Sequence, residues 1–227
     1  MTRRLGILGG TFDPIHFGHL DAAAAAHTAL ALDEVLFLPA RQSPLRAGEA
    51  HASGFHRFAM VALAIDDVPS YQVSALELKR DGRSYTIDTL RNLHAQGWTP
   101  TQLFFILGAD TFADVAAWHG FPEVLDAAHF VVISRPGTTI DTALARTPEL
   151  RTRTSAPSTA VLEGTRVFLV RAATRDVSST SIRARAGAGD AIDDLVPASV
   201  ARYIATHHLY QTENNLHGHD EEENSGA

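Results

Sequence analysis

Cysteine is absent from the 227 residues. That rules out a disulfide framework, a thiolate zinc site and a cysteine nucleophile together. Long apolar runs are missing too, and none approaches the roughly 20 residues that a membrane-spanning helix needs. Leu5–Leu8 follows two arginines but is too short for the core of a secretion signal, and glycines follow at once. A cytoplasmic address without a membrane partner fits these absences. Positive charge is in deficit: 19 Lys and Arg against 26 Asp and Glu give a net charge of −7. Much of the acidity sits at the end, in Glu213, Asp220, Glu221, Glu222 and Glu223, so the remaining body is close to neutral. Such a body carries no electrostatic footprint for long nucleic acid, although a few well-placed arginines can still hold a small phosphate ligand.

The chain has 45% hydrophobic residues, enough for the core of one α/β domain. Apolar runs at Leu5–Leu8, Val35–Leu38, Leu103–Leu107, Phe130–Ile133 and Val167–Val170 predict buried strands, with Gln72–Leu76 a weaker sixth. Helical patterns at Gly18–Leu32, Phe55–Ile65, Tyr85–Gln96 and Thr111–Ala117 lie between them, and Pro197–His207 reads as a closing helix. Strands alternating with helices predict a doubly wound, Rossmann-like parallel sheet covered on both faces. Residues 137–164, rich in Thr, Ser and Pro, read as a surface excursion rather than a second domain. The expected division is a domain over 1–210 and an acidic, disordered tail over 211–227. His207, His208, His217 and His219 near the tail supply metal-ligand types, but nothing there imposes geometry, so no protein metal site is expected. The residues leave open whether the chain assembles as a homo-oligomer.

The strongest local signal is Gly9-Gly10-Thr11-Phe12-Asp13-Pro14-Ile15-His16-Phe17-Gly18-His19, between the first strand and the first helix. At that junction backbone N–H groups and the positive helix end meet the C-terminal edge of the sheet, where such folds bind phosphates. His16 and His19, three apart at a helix start, share one face and can both donate to phosphate oxygens. The loop is neither a Walker A loop nor a dinucleotide fingerprint. A second element, Val177-Ser178-Ser179-Thr180-Ser181-Ile182-Arg183, follows the last strand. Its hydroxyls suit a helix cap over Ser181–Ala186, and Arg183 adds a fork for phosphate oxygens.

The first string resembles the Gly-x-Phe-x-Pro-x-His-x-x-His signature of the nucleotidyltransferase superfamily. The second resembles the Ile-Ser-Ser-Thr-x-x-Arg element of its mononucleotide adenylyltransferases, with Val177 for the Ile. Further strings are similar to the bacterial nicotinate-mononucleotide branch: Ser84–Leu90, Phe105–Asp110, Trp118, Ile133–Gly137 and the closing Val196–Tyr210. The resemblance covers about Leu5 to Tyr210 and implies transfer of AMP from ATP to nicotinate mononucleotide. It implies His16, His19 and Arg183 as catalytic residues. Gly9, Gly10, Thr11, Phe12, Arg46, Ser179 and Thr180 join them around ATP. Thr86, Gly108, Asp110, Trp118 and Arg135 are implied at the acceptor. Mg²⁺ is expected to arrive with ATP. Nicotinamide mononucleotide, phosphopantetheine or a non-catalytic sensor role are the alternatives.

One departure qualifies the match. Ser43-Pro44-Leu45-Arg46 stands where the family often carries Pro-Pro-His followed by Lys or Arg, so Arg46 can supply the charge but Leu45 supplies no imidazole. His56 and Arg57 read either as supporting residues of the site or as ordinary surface-helix residues. Asp110 reads both as a ribose ligand and as the cap of the helix that follows.

Overall fold

The computed structural model describes residues 3–44, 48–134, 141–148, 150–158 and 163–211. Its strands are β1 (Leu5–Gly10), β2 (Glu34–Pro39), β3 (Tyr71–Val73), β4 (Leu103–Gly108), β5 (His129–Ser134), β6 (Thr154–Ser155) and β7 (Val167–Arg171). They form one sheet in the order β3-β2-β1-β4-β5-β7-β6, and every pairing is parallel. The helices are α1 (Phe17–Leu30), α2 (Gly54–Ile65), α3 (Thr86–Ala95), α4 (Ala109–Phe112), α5 (Asp141–Arg146), α6 (Leu150–Arg153), α7 (Ser179–Ala188) and α8 (Ala198–Thr206). Among the described residues, no helix is long and apolar enough to cross a membrane.

The near-continuous apolar strands are what a sheet covered on both faces requires. Successive side chains alternate between faces, and they do so into two separate cores. Leu8, Phe104 and Ile106 join the core that also holds Leu30 of α1, Met60 and Val61 of α2, Ile182 of α7 and Val200 of α8. Leu5, Ile7, Leu103, Phe105 and Leu107 join the opposite core, with Ile87, Leu90 and Leu93 of α3 and Phe112 of α4. The alanine run of α1 favours helix and lets it lie close against the sheet. Gly6 serves the same closeness, since a Cβ there would come within 2.8 Å of the Leu32 side chain.

Three expectations need adjusting. The helix after β4 starts at Ala109 with Gly108 as its cap, so Asp110 lies in the first turn and is not the cap. The expected single helix over Thr111–Ala117 is instead this short helix plus a separate 3-10 turn, Val115–Ala117. The sixth strand is shorter and earlier than Gln72–Leu76, because only Tyr71–Val73 finds a partner on β2. The described residues between 141 and 158 are more structured than their composition suggests. Leu144 and Leu150 are buried, and β6 extends the sheet beside β7. The acidic tail beyond 211 lies outside the described residues.

β1 lies between β2 and β4. The chain leaves β1 toward β2 on one side, while β4 and β5 continue on the other. Loops that diverge from such a switch point leave a crevice above the strand ends, and the candidate residues gather there.

Candidate active site

The glycine pair closes β1, and the loop beyond it is anchored from below. Phe12 has a left-handed backbone, with φ of 50°, and its ring is buried edge-on to His19 with centroids 5.0 Å apart. The side chain of Phe12 therefore belongs to the core, and only its backbone belongs to the loop's outer face. His16 caps α1 and His19 sits in its first turn. Their rings stack with centroids 3.7 Å apart and planes 27° from parallel. The His16 backbone N–H donates to His19 Nδ1 at 3.2 Å. That bond makes Nδ1 an acceptor, so the His19 proton resides on Nε2, which is the donor a phosphate oxygen needs.

Asp13 is the hub of the loop. It is 1% exposed, and its carboxylate accepts from the backbone N–H groups of His51 (2.8 Å) and Ala52 (3.0 Å) and from the Tyr210 hydroxyl (2.9 Å). The His51 ring lies 3.4 Å away and Arg183 Nη1 lies 4.0 Å away. Arg57, 2% exposed, braces the same region from α2. It donates to the carbonyls of Thr11 (2.7 Å), Ala40 (2.7 Å) and Ala52 (3.1 Å). Burial depresses its affinity for a proton, and the charge of Asp13 opposes that. Arg57 is thus a supporting residue of the site and not part of a surface helix. His56 faces elsewhere, hydrogen-bonded to Tyr203 on α8 at 3.0 Å.

The Ser-Ser-Thr element meets this loop directly. Ser178 caps α7 by accepting from Ser181 N–H at 3.1 Å. Ser179 is buried and donates its hydroxyl to the Pro14 carbonyl at 3.0 Å, which ties the two halves of the signature together. Thr180 is exposed and its hydroxyl accepts from Arg183 Nη2 at 3.3 Å, while Arg183 Nη1 donates to the Asp13 carbonyl at 2.7 Å. Arg183, Thr11, Arg41 and His51 border a cavity of about 490 Å³.

A larger cleft of about 890 Å³ opens beside it. Gly9, Gly10, Thr11, His16 and His19 line one wall, and Thr86, Gly108, Asp110 and Trp118 line the other. Asp110 is exposed at the start of α4. Trp118 is half-buried, packed edge-on to Phe105 at 6.3 Å and tilted to Phe130 at 6.3 Å, and its Nε1 is buried without a hydrogen-bond partner among the described residues. The rings of Tyr85 and His119 approach to 4.4 Å at the same end. Glu77 also reaches the cleft, 5% exposed, with Thr89 donating to it at 2.7 Å; burial pushes its pKa upward.

Residues far apart in sequence thus border two neighbouring cavities that share Thr11. Arg46 and Arg135 lie outside the described residues. Reading the sequence missed Asp13, Glu77 and Tyr210 as structural centres. Asp13 lies inside the quoted loop, but nothing in the string marks its carboxylate as buried.

The chain matches the family model described as cytidylyltransferase-like over residues 7–185. It is 44% identical over 209 residues to a probable nicotinate-nucleotide adenylyltransferase of Roseiflexus sp. (strain RS-1), covering 91% of this chain and 98% of the relative. It is 39% identical over 204 residues to one from Salinispora arenicola (strain CNS-205), covering 90% and 100%. In three dimensions it is similar to Plasmodium falciparum nicotinic acid mononucleotide adenylyltransferase complexed with NaAD. That match has a TM-score of 0.67 at 18% identity, over 92% of this chain and 97% of the other.

Proposed function

The chain belongs to the cytidylyltransferase-like family and, within it, to the nicotinate-nucleotide adenylyltransferases, and from that membership we propose how its cleft divides the work. The enzyme transfers the AMP part of ATP to nicotinate mononucleotide, giving nicotinate adenine dinucleotide and pyrophosphate. An oxygen of the acceptor's 5′-phosphate attacks the α-phosphorus of ATP. The bond from that phosphorus to the bridging oxygen breaks, and pyrophosphate leaves with the electron pair. The attacking oxygen is already anionic, so neither a covalent enzyme intermediate nor a strong base is required. What the protein supplies is alignment and relief of charge at phosphorus.

His16 and His19 carry the reacting phosphates, with the Nε2–H of His19 as donor. The observation that carries this reading is that these stacked imidazoles and the Thr86–Asp110–Trp118 wall border one cleft. Gly9, Gly10, Thr11 and Phe12 contribute backbone, Thr180 and Arg183 hold the triphosphate, and Arg46 adds charge. Ser179, its hydroxyl committed to Pro14, contributes by holding the loop. Trp118 stacks on the pyridine ring, Asp110 accepts from ribose hydroxyls, and Thr86, Gly108 and Arg135 complete the acceptor side. The donors around the phosphate loop are N–H groups, imidazoles and a guanidinium, a set made for anions. They fit a Mg²⁺ ion carried by triphosphate oxygens and water, which would neutralise charge on the leaving pyrophosphate.

The acceptor's acid group meets donors on this wall. A carboxylate only accepts, whereas a carboxamide also presents N–H groups to backbone N–H donors near Thr86 and Trp118. The penalty is on the order of 1–3 kcal/mol per buried mismatch. Rates with ATP and each of three acceptors test the reading. Expected is a kcat/KM for nicotinate mononucleotide at least about tenfold above the nicotinamide form, and none with phosphopantetheine. Equal use of acid and amide would overturn the acceptor assignment.

A further inference from the structure

We infer that Tyr210, near the end of the described chain and outside both signature strings, is a positioning residue for the phosphate chemistry: its hydroxyl holds Asp13 so that Arg183 stays directed to the triphosphate. The inference rests on the adenylyltransferase reading above.

Tyr210 follows the closing helix α8 and takes a left-handed backbone, with φ of 70°. Its hydroxyl donates to Asp13 Oδ1 at 2.9 Å. Burial raises its pKa well above the usual phenol range, and the neighbouring carboxylate raises it further, so the group is a donor throughout the working pH range. The contact is built from a second direction. On α7, a Cβ at position 187 would lie 2.9 Å from the Tyr210 carbonyl oxygen. Glycine there lets the Tyr210 turn rest on the same helix that carries Arg183.

The consequence concerns a choice that Arg183 faces. Asp13 and Arg183 carry opposite charges, with Arg183 Nη1 4.0 Å from the carboxylate, and a closer ion pair would turn the guanidinium inward. Three neutral donors already occupy the carboxylate: His51 N–H and Ala52 N–H from the loop before α2, and the Tyr210 hydroxyl. Arg183 is left with the Asp13 carbonyl and the Thr180 hydroxyl as its anchors, and it borders the smaller cavity. Removing the Tyr210 hydroxyl leaves Oδ1 to the Ala52 N–H alone, and the less satisfied carboxylate draws more strongly on the neighbouring guanidinium of Arg183. Its donors are then drawn away from phosphate.

The test is Tyr210→Phe in the full chain, with kinetics varied separately in ATP and in nicotinate mononucleotide, and thermal melting in parallel. Expected is a fall in kcat of roughly 5- to 10-fold and a rise in KM for ATP, while KM for the acceptor stays within about twofold. Gly187→Ala, which lifts the turn without touching the hydroxyl, should give the same pattern more weakly, and it decides the matter if the phenylalanine variant does not fold. Unchanged kcat and unchanged KM for ATP would overturn the inference. So would a loss that merely tracks the folded fraction, or one that moves the acceptor KM alone. If the unmodified chain turns over none of the acceptors, the adenylyltransferase reading fails instead. Binding of a non-hydrolysable ATP analogue, weaker in Tyr210→Phe than in the parent, then still reports on Tyr210.

Discussion

The two walls of the cleft are built to opposite plans. On the phosphate wall the bracing residues are satisfied within the protein: Asp13, Arg57 and Ser179 are buried, and their polar atoms are bound to loop carbonyls, loop N–H groups and the Tyr210 hydroxyl. On the acceptor wall, Gly108 and Asp110 are exposed and Trp118 Nε1 is buried without a hydrogen-bond partner among the described residues. A triphosphate is bulky, highly charged and the same in every turnover, so a rigid frame prepared in advance lowers the cost of each reaction. The acceptor wall must instead recognise one flat ring and one acid group, and it leaves its polar atoms for the ligand to complete.

Removing His19 strikes the prepared wall where it meets substrate. His19→Ala should lower turnover by about 100-fold or more, the scale of losing one transition-state donor. Melting should hardly move, since the ring is only half-buried. A kcat near that of the parent, measured at saturating substrates, would break the assignment. The open wall should respond differently. Trp118→Ala should reduce kcat/KM for the acid and amide acceptors alike by about tenfold, the value of a stacked aromatic contact, and leave the affinity for ATP nearly intact. Isothermal titration with an ATP analogue checks the second half; a matching loss for ATP would mean that the two walls do not act separately.

The smallest effect on catalysis is expected at the far end of the sheet. His129 opens β5, is 3% exposed, and accepts from Arg166 N–H at 2.9 Å between the rings of Phe104 and Phe168. Burial lowers its pKa from 6.5 to about 4. Between those values the unfolded chain takes up a proton that the folded chain refuses. Stability from this group is therefore complete above about pH 6.5 and is lost as the pH falls toward 4, by about 3 kcal/mol in all. Melting temperature followed from pH 7 to 4.5 should fall, and His129→Gln should flatten that dependence without changing turnover at neutral pH. An identical slope in the variant would place the acid sensitivity elsewhere.

Much of the fold was legible because a parallel sheet covered on both faces writes itself as short apolar runs, and Leu5–Leu8 or Phe130–Ile133 could hardly be anything else. β6 was illegible for the opposite reason: two residues, Thr154 and Ser155, carry no periodicity at all. The stacked histidines were legible from their spacing, since a helix start brings positions three apart together. Arg57 was ambiguous, because a charge on an amphipathic helix reads as solvated unless its partners are known, and its partners are backbone carbonyls of three separate residues, Thr11 the farthest at 46 positions away. Tyr210 was hidden for the same reason: its partner lies 197 residues away, and hydrogen bonds across such distances leave no local pattern.

The short outer strands have a consequence of their own. A sheet is open at both sides, and each side offers unpaired backbone groups on which a foreign strand can grow. Here the flanking strands are β3, three residues long, and β6, two residues long. A stranger pairing there would find only one or two ladder bonds before the template ran out. The long, sticky strands β1, β4 and β5 are all interior. In a crowded cell such tapering guards against fibrous self-association, and it leaves the crevice at the centre of the sheet as the surface where binding is rewarded.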